Sequence, residues 1–162
     1  MKKTLMIMLV LMFGISFMGI SSSIAGDDCG CPPPGVGSPG YWMNHPDAWP
    51  LDYIVICPNG DPAQEVGFTR DEAIELMEAP TRGDKWLTLF PAYVAAELNI
   101  ALGNPRPEDC CRFEVRDWLC ANLDGVRANS EAWQGDGEDF YFCLDAYNNG
   151  YQDGAPSRDA LE

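Results

Sequence analysis

Gly40-Tyr41-Trp42-Met43-Asn44-His45-Pro46-Asp47-Ala48-Trp49-Pro50 is the stretch of sequence from which the organisation of this chain follows. It contains two of the five tryptophans and the only histidine of the 162 residues. Aromatic side chains next to prolines typically form rigid, well-packed turns. We therefore predict that this stretch anchors the start of a folded domain.

The residues before this stretch predict export. Two lysines follow Met1, an apolar run covers Leu5 to Ile20, and small residues lead to Ala25. This order is typical of a secretory signal peptide, here cleaved after Ala25. The alternative is an uncleaved membrane anchor, because the apolar run can be extended towards the length that spans a bilayer. Gly26-Asp27-Asp28 precede Cys29 and argue against a lipoprotein cysteine. The predicted location is periplasmic, extracellular or cell-surface associated.

The charge balance restricts the class of partner. The chain has 25 Asp and Glu against ten Lys and Arg, a net charge of −15. Cleavage would remove two lysines and leave a net charge of −17. So acidic a surface repels nucleic-acid phosphates and anionic membranes. We expect no nucleic-acid partner and a mature form that is not embedded in a membrane; the expected partner is a glycan or a surface protein.

Seven cysteines follow the predicted cleavage site. In an exported chain this density predicts a disulfide framework. Seven is an odd number, so three bridges would leave one thiol free or paired with another chain. Metal binding by the closely spaced cysteine pairs would need reducing surroundings or a further histidine. The predicted disulfide residues are Cys29, Cys31, Cys57, Cys110, Cys111, Cys120 and Cys143.

Composition divides the chain into four parts. Residues 1–25 are the predicted signal peptide, and residues 26–40 contain nine Gly or Pro, which is typical of a semi-stiff tether. Residues 41–150 carry the patterned apolar segments of a single helical domain. Residues 151–162 form a polar C-terminal tail, which we expect to fray.

The first half of the predicted domain combines a hairpin with a capped helix. Leu51–Cys57 is rich in β-branched and aromatic residues, and a turn sequence separates it from a return strand at Gln64–Phe68. Thr69-Arg70-Asp71-Glu72 is a capping box that starts a helix, and Pro80 ends that helix.

Three more helices complete the predicted fold. A central apolar helix begins at Asp84 as its N-cap, and Pro91 is expected to kink or break it near Leu89–Phe90. Further helices are predicted at Glu108–Leu123 and Glu138–Asn148 from their apolar spacing. The predicted fold class is mainly α: about four short helices with one small β-hairpin, stapled by disulfides.

The opening stretch, the Ala95-Ala96-Glu97-Leu98-Asn99 run and Leu144-Asp145-Ala146-Tyr147-Asn148-Asn149-Gly150 together resemble a recurrent module of secreted and cell-surface bacterial proteins. That module opens with G-Y-W-x-N-H-P-x-A-W-P, and the resemblance covers nearly all of residues 40–150. It implies a surface location and one helical domain, without an established activity. The module often has a histidine where this chain has Pro91, so the resemblance implies no two-histidine metal site here.

His45 has three candidate roles: metal ligand, catalytic base, or a structural group that satisfies backbone atoms in a turn. A base would need a nucleophile, for which Ser38 and Ser130 are the serines to consider. We favour the structural role. A further hypothesis is an exposed aromatic shelf for sugar rings. Its predicted binding residues are Tyr41, Trp42, Asn44, His45, Asp47 and Trp49.

A second candidate site is the acidic loop Gly135-Asp136-Gly137-Glu138-Asp139. Clustered carboxylates in a glycine-rich loop suit calcium, so Asp136, Glu138 and Asp139 are the candidate metal ligands. The alternative is an acidic helix start that complements the helix dipole. The sequence thus predicts a non-catalytic module for binding or structural interaction, with calcium as the candidate cofactor. The alternative function is a small extracytoplasmic hydrolase with His45 as its base.

Overall fold

The structure is a computed structural model that describes residues 34–58, 65–107 and 112–158. The elements in chain order are α1 (Pro39–Asn44), a 3-10 turn (Pro46–Ala48), β1 (Tyr53–Cys57), β2 (Val66–Thr69), α2 (Arg70–Glu78), α3 (Trp86–Ala101), α4 (Arg112–Ala121), a π-helical turn (Trp133–Gly137) and α5 (Glu138–Asn148). The predicted fold class is confirmed: mainly helical, with one two-stranded hairpin and a disulfide between Cys57 and Cys120. The predicted signal peptide lies outside the described residues.

β1 and β2 form an antiparallel pair in which Ile54 lies opposite Phe68 and Val55 opposite Gly67. A side chain at position 67 would meet the Tyr53 ring at 2.6 Å, so glycine is required there. The Tyr93 hydroxyl donates to the carbonyl of Val55 at 3.1 Å and ties the hairpin to α3. An isolated two-stranded hairpin is only marginally stable in water. Here the contact with α3 and the disulfide to α4 stabilise it.

The capping box at the start of α2 is confirmed. The backbone N–H of Glu72 donates to Thr69 Oγ1, and the backbone N–H of Thr69 donates to Glu72 Oε2. Both bonds satisfy donors that a helix start leaves without partners. α2 buries Ala73 and Met77 and exposes its acidic residues.

α3 is the central element of the core. Ten of its sixteen residues are buried, including Leu89, Phe90 and Val94, none of which is exposed to solvent. The predicted break at Leu89–Phe90 is absent, because α3 runs from Trp86 to Ala101 with Pro91 inside it, and the alternative of a kink stays a prediction. An interior proline costs about 3 kcal/mol, and the extensive burial of α3 offsets that cost.

The N-cap of α3 is Lys85, one residue after the predicted Asp84, but the Asp84 carboxylate still binds the first N–H of the helix. Its Oδ1 accepts the backbone N–H of Trp86 and that of Val126, both at 2.9 Å. The backbone N–H of Lys85 in turn donates to the carbonyl of Val126 at 2.6 Å. One carboxylate therefore starts α3 and fixes the loop that follows α4.

The folded part extends beyond the predicted bounds of 41–150 at both ends. The backbone N–H of Val36 donates to the carbonyl of Pro156, and that of Arg158 donates to the carbonyl of Val36. Val36 and Ala155 are each 1% exposed. Residues 35–37 of the predicted tether and residues 155–158 of the predicted frayed tail are thus part of the domain, since each supplies the other's hydrogen bonds.

The described part of α4 ends at Ala121, two residues before the predicted end of the third helix, and residues 108–111 lie outside the described ranges. α5 has the predicted bounds, Glu138–Asn148. Gly150 follows it with φ 76°, a left-handed conformation that favours glycine. A side chain there would also meet the backbone of Ser157 at 2.3 Å, so Gly150 lets the C-terminal segment pass close to the end of α5.

Candidate functional site

The stretch from residue 40 to residue 50 folds into α1 and the 3-10 turn. Ser38 caps α1, because its Oγ accepts the backbone N–H of Tyr41 at 3.2 Å. The Asn44 amide donates to the carbonyl of Gly40 at 2.8 Å, and the helix ends there. The polar groups of the stretch are largely used to hold its own turns.

Trp42 and Trp49 are buried, with 0% and 8% of their surface exposed. The Trp49 indole donates to the carbonyl of Trp42 at 2.9 Å, and the Trp42 indole donates to Asn99 Oδ1 at 3.1 Å. The predicted aromatic shelf of Tyr41, Trp42 and Trp49 is therefore corrected. The two tryptophans attach the stretch to the core and offer no face to a sugar ring.

A buried amide network joins this stretch to the centre of the domain. Asn99 Oδ1 also accepts the backbone N–H of Gly37 at 2.7 Å, while its Nδ2 donates to the carbonyl of Gly37 and to Asn148 Oδ1, both at 2.9 Å. Asn148 Nδ2 continues to the carbonyl of Ala92 at 2.8 Å. Asn99 and Asn148 are 0% and 1% exposed; the Asn99 amide makes four hydrogen bonds, and the Asn148 amide accepts one and donates one.

Sequence reasoning placed Asn99 and Asn148 inside the resemblance but gave them no role. A signal was present, since Asn99 lies between the apolar residues of a broad helix face. An asparagine at such a position is buried, and buried amides require partners. The amide of Asn99 pairs with both backbone groups of Gly37, as a neighbouring strand would.

His45 lies at the surface, and its ring is stacked on Tyr41 with centroids 4.2 Å apart and planes 18° apart. Its Nδ1 is 2.8 Å from the carbonyl oxygen of Tyr41, so Nδ1 carries the proton that this bond needs. In the neutral form of the ring, Nε2 is then the acceptor. The Arg158 guanidinium also lies over the Tyr41 ring, 5.2 Å from its centroid. The orientation of His45 is thus set by the domain's own packing.

Both serines considered as nucleophiles act as helix caps. Ser38 caps α1, as described above. Ser130 Oγ accepts the backbone N–H of Trp133 and donates to the carbonyl of Arg127 at 2.7 Å. Neither hydroxyl is bonded to His45.

Five consecutive residues of the stretch are exposed: Asn44, His45, Pro46, Asp47 and Ala48. We call them the 44–48 loop. Trp42 and Trp49 flank this loop and are both buried, so its two ends are fixed to the core. Of the predicted binding residues, the structure thus leaves Asn44, His45 and Asp47 accessible.

The candidate calcium ligands Asp136, Glu138 and Asp139 are exposed at the junction of the π-helical turn and α5. Over the ranges that the structure describes, no three His, Cys, Asp or Glu side chains are grouped so that they could hold a metal ion. Gly137 has a packing role, because a side chain there would meet the Trp118 ring at 2.7 Å. Calcium binding stays a prediction from the sequence.

Of the predicted disulfide residues, Cys57 and Cys120 are bonded to each other across 63 positions of sequence. Cys143 is disulfide-bonded as well. Cys29, Cys31, Cys110 and Cys111 lie outside the described residues.

None of the helices in the described ranges combines the length and the apolar character that a membrane crossing requires. Comparison of the chain with models of protein families, with curated proteins and with solved structures gave no match in any of the three.

Proposed function

We propose that this chain is an exported, surface-associated module for binding or structural interaction, and that it is not a catalyst. The observation that carries the proposal is the structural use of the groups that catalysis would need. His45 is held by the Tyr41 carbonyl and ring, and Ser38 and Ser130 cap helices. A catalytic base needs a nucleophile within hydrogen-bond reach, and these serines do not supply one.

The 44–48 loop is the surface through which the module would interact. It is exposed along five residues while Trp42 and Trp49 fix both its ends. A rigid loop loses little conformational entropy when it binds, which favours affinity. Asn44, His45 and Asp47 offer an amide, an imidazole acceptor and a carboxylate, a set that suits the hydroxyl groups of a glycan or the polar rim of a protein.

Binding to a glycan array and to purified envelope fractions tests this proposal. The double variant His45→Ala/Asp47→Ala is expected to lose binding and to stay folded with a slightly lower melting temperature, since both side chains are exposed but His45 gives up one hydrogen bond and one ring contact to Tyr41. Glu78→Ala, an exposed acidic residue at the end of α2, is the matched control and should bind normally. Loss of binding in the control alone, or equal binding by all three proteins, would contradict the proposal.

The hydrolase alternative makes an opposite prediction. Turnover of ester, peptide or glycoside substrates that disappears in a folded His45→Ala variant would establish catalysis and overturn the non-catalytic proposal. No contact among the described residues favours that alternative.

A further inference from the structure

A cleft of about 500 Å³ lies where the loop before α3 meets the loop after α4. It shares no residue with the 44–48 loop. Its volume falls within the range of small-molecule sites. Its lining residues are Arg82, Gly83, Asp84, Asp124, Gly125, Val126 and Arg127.

The walls of the cleft are held in place by backbone bonds. Asp84 and Arg127 form an antiparallel bridge, and Asp84 Oδ1 accepts the backbone N–H of Val126. Gly125 has φ 90°, and a side chain there would meet Asp84 Oδ2 at 2.6 Å, so only glycine permits this approach. The walls of the cleft are therefore fixed by the domain's own bonds, which keeps the entropic cost of binding there low.

The two arginines of the cleft are unusual for so acidic a chain. With 25 acidic residues against ten basic ones, an arginine readily finds a carboxylate. Among the described residues, ion pairs join Arg70 to Asp71 and Arg116 to Asp117, but neither Arg82 nor Arg127 takes part in one. Their guanidinium donors are available although Asp84 and Asp124 line the same cleft.

Arg82 also has φ 47°, and no other non-glycine residue in the described ranges has a positive φ. A left-handed arginine costs energy, which the surrounding turn must supply. Asp84 contributes to that turn, since its backbone N–H donates to the carbonyl of Thr81 at 2.8 Å. The turn thus fixes the backbone from which the Arg82 side chain leaves.

We propose that this cleft binds a small ligand that carries a carboxylate, such as a uronic acid or the C-terminal carboxylate of a short peptide. Guanidinium groups match carboxylates through paired, charge-assisted hydrogen bonds. Two arginines and two aspartates give the lining no net charge, so a singly charged group fits better than a phosphate dianion. Asp124 accepts hydrogen bonds from hydroxyl or amide groups of the same ligand. The proposal goes beyond the loop surface and does not depend on it.

Titration of the ¹⁵N-labelled exported protein, followed by its amide resonances, tests the site. The probes are sodium glucuronate and acetyl-Ala-Ala, each with an uncharged analogue, glucose and acetyl-Ala-Ala amide, and inorganic phosphate as the dianion. We expect one of the two carboxylates to shift the amides of Gly83, Gly125 and Arg127 with a Kd on the order of 1 mM, and its analogue to leave them unshifted. The probe that binds identifies the source of the carboxylate.

Arginine variants distinguish specific binding in the cleft from nonspecific electrostatic attraction of an anion to the protein surface. Arg82→Asn keeps a residue that tolerates the left-handed backbone, and Arg127→Gln keeps a polar side chain of similar length. Each should weaken binding by about tenfold or more while circular dichroism and the melting temperature stay unchanged. Arg106→Gln, an exposed arginine outside the cleft, changes the charge equally and should bind like the wild type.

Several outcomes would overturn the proposal. They are shifts spread over the whole surface, equal shifts with the uncharged analogues, tighter binding of phosphate, unchanged binding in the folded arginine variants, and no localised shift with either carboxylate at tens of millimolar. Because none of these measurements involves the 44–48 loop, failure here leaves the proposed function standing.

Discussion

Replacement of Asn99 by leucine is expected to remove most of the stability of this domain. Leucine has the same branched shape but neither donates nor accepts, and its two methyl groups need more room than the amide oxygen and nitrogen. The variant leaves four buried groups without their partner: the N–H and C=O of Gly37, the indole N–H of Trp42 and Oδ1 of Asn148. The perturbation therefore combines the loss of these hydrogen bonds with a steric cost, and both lower the free energy of unfolding.

The magnitude follows from those four bonds, whose lengths are 2.7–3.1 Å. A buried polar group that loses its partner costs about 1–3 kcal/mol. Four such groups correspond to a loss of about 4 kcal/mol or more. Domains of this size are stable by only about 5–15 kcal/mol, so the variant should lose a large fraction of its free energy of unfolding.

Urea unfolding, followed by tryptophan fluorescence, measures the free energy of unfolding of both proteins. Asn149→Ala is the matched control. It removes an asparagine of the same run, whose amide makes local bonds to Asp145 at a half-buried position. The control should lose no more than about 1 kcal/mol. A loss below about 2 kcal/mol for Asn99→Leu would refute the reasoning, because the four groups would then have found other partners.

Three further outcomes are expected. The double variant Cys57→Ser/Cys120→Ser opens a loop of 63 positions and should lose about 4 kcal/mol in urea unfolding, on the loop-entropy relation; an unchanged midpoint would contradict it. Pro91→Ala restores a backbone donor inside α3 and should raise the melting temperature measured by calorimetry. The gain in the free energy of unfolding should be at most about 3 kcal/mol. A lower melting temperature would show that the proline ring contributes more through packing. Hydrogen bonds from the Thr69 side chain and backbone hold the pKa of Glu72 below its ordinary value of 4.5. Because the folded pKa is the lower one, this stabilisation is present at neutral pH and is lost as the pH falls through it. The melting temperatures of the wild type and Glu72→Ala should therefore converge in acid, and a constant difference would argue against the capping carboxylate.

Local sequence signals predicted the elements of this fold well, for identifiable reasons. Thr69 and Glu72 are three residues apart, and their reciprocal bonds depend on that spacing alone. The bounds of α5 follow from apolar residues at helical spacing and from the glycine after it. Asp84 before the apolar run of α3 was likewise a local signal for the start of that helix. Its second hydrogen bond, to Val126, could not be predicted in this way, because Val126 is distant in the sequence.

The parts that could not be predicted depend on contacts between distant residues. The pairing of Val36 with Pro156 and Arg158 joins segments about 120 residues apart, and nothing in a proline-rich stretch or a polar tail indicates it. The aromatic shelf failed for a related reason. Tryptophans next to prolines suit either a buried anchor or an exposed platform, and the partner that decides, Asn99, lies 57 residues from Trp42.

The pairing at Val36 also determines how the domain would respond to tension. The bridge between Val36 and Ser157 is parallel, so the segment around Val36 and the segment around Ser157 run side by side in the same direction. A pull that separates the two ends would slide these segments along each other and load both hydrogen bonds together, instead of opening them one after the other. The amides of Asn99 and Asn104 also hold Gly37 and Gly35, on either side of Val36 in the sequence, to α3 and to the residues just after it. The ends of the domain are thus joined in the geometry in which hydrogen bonds share a mechanical load.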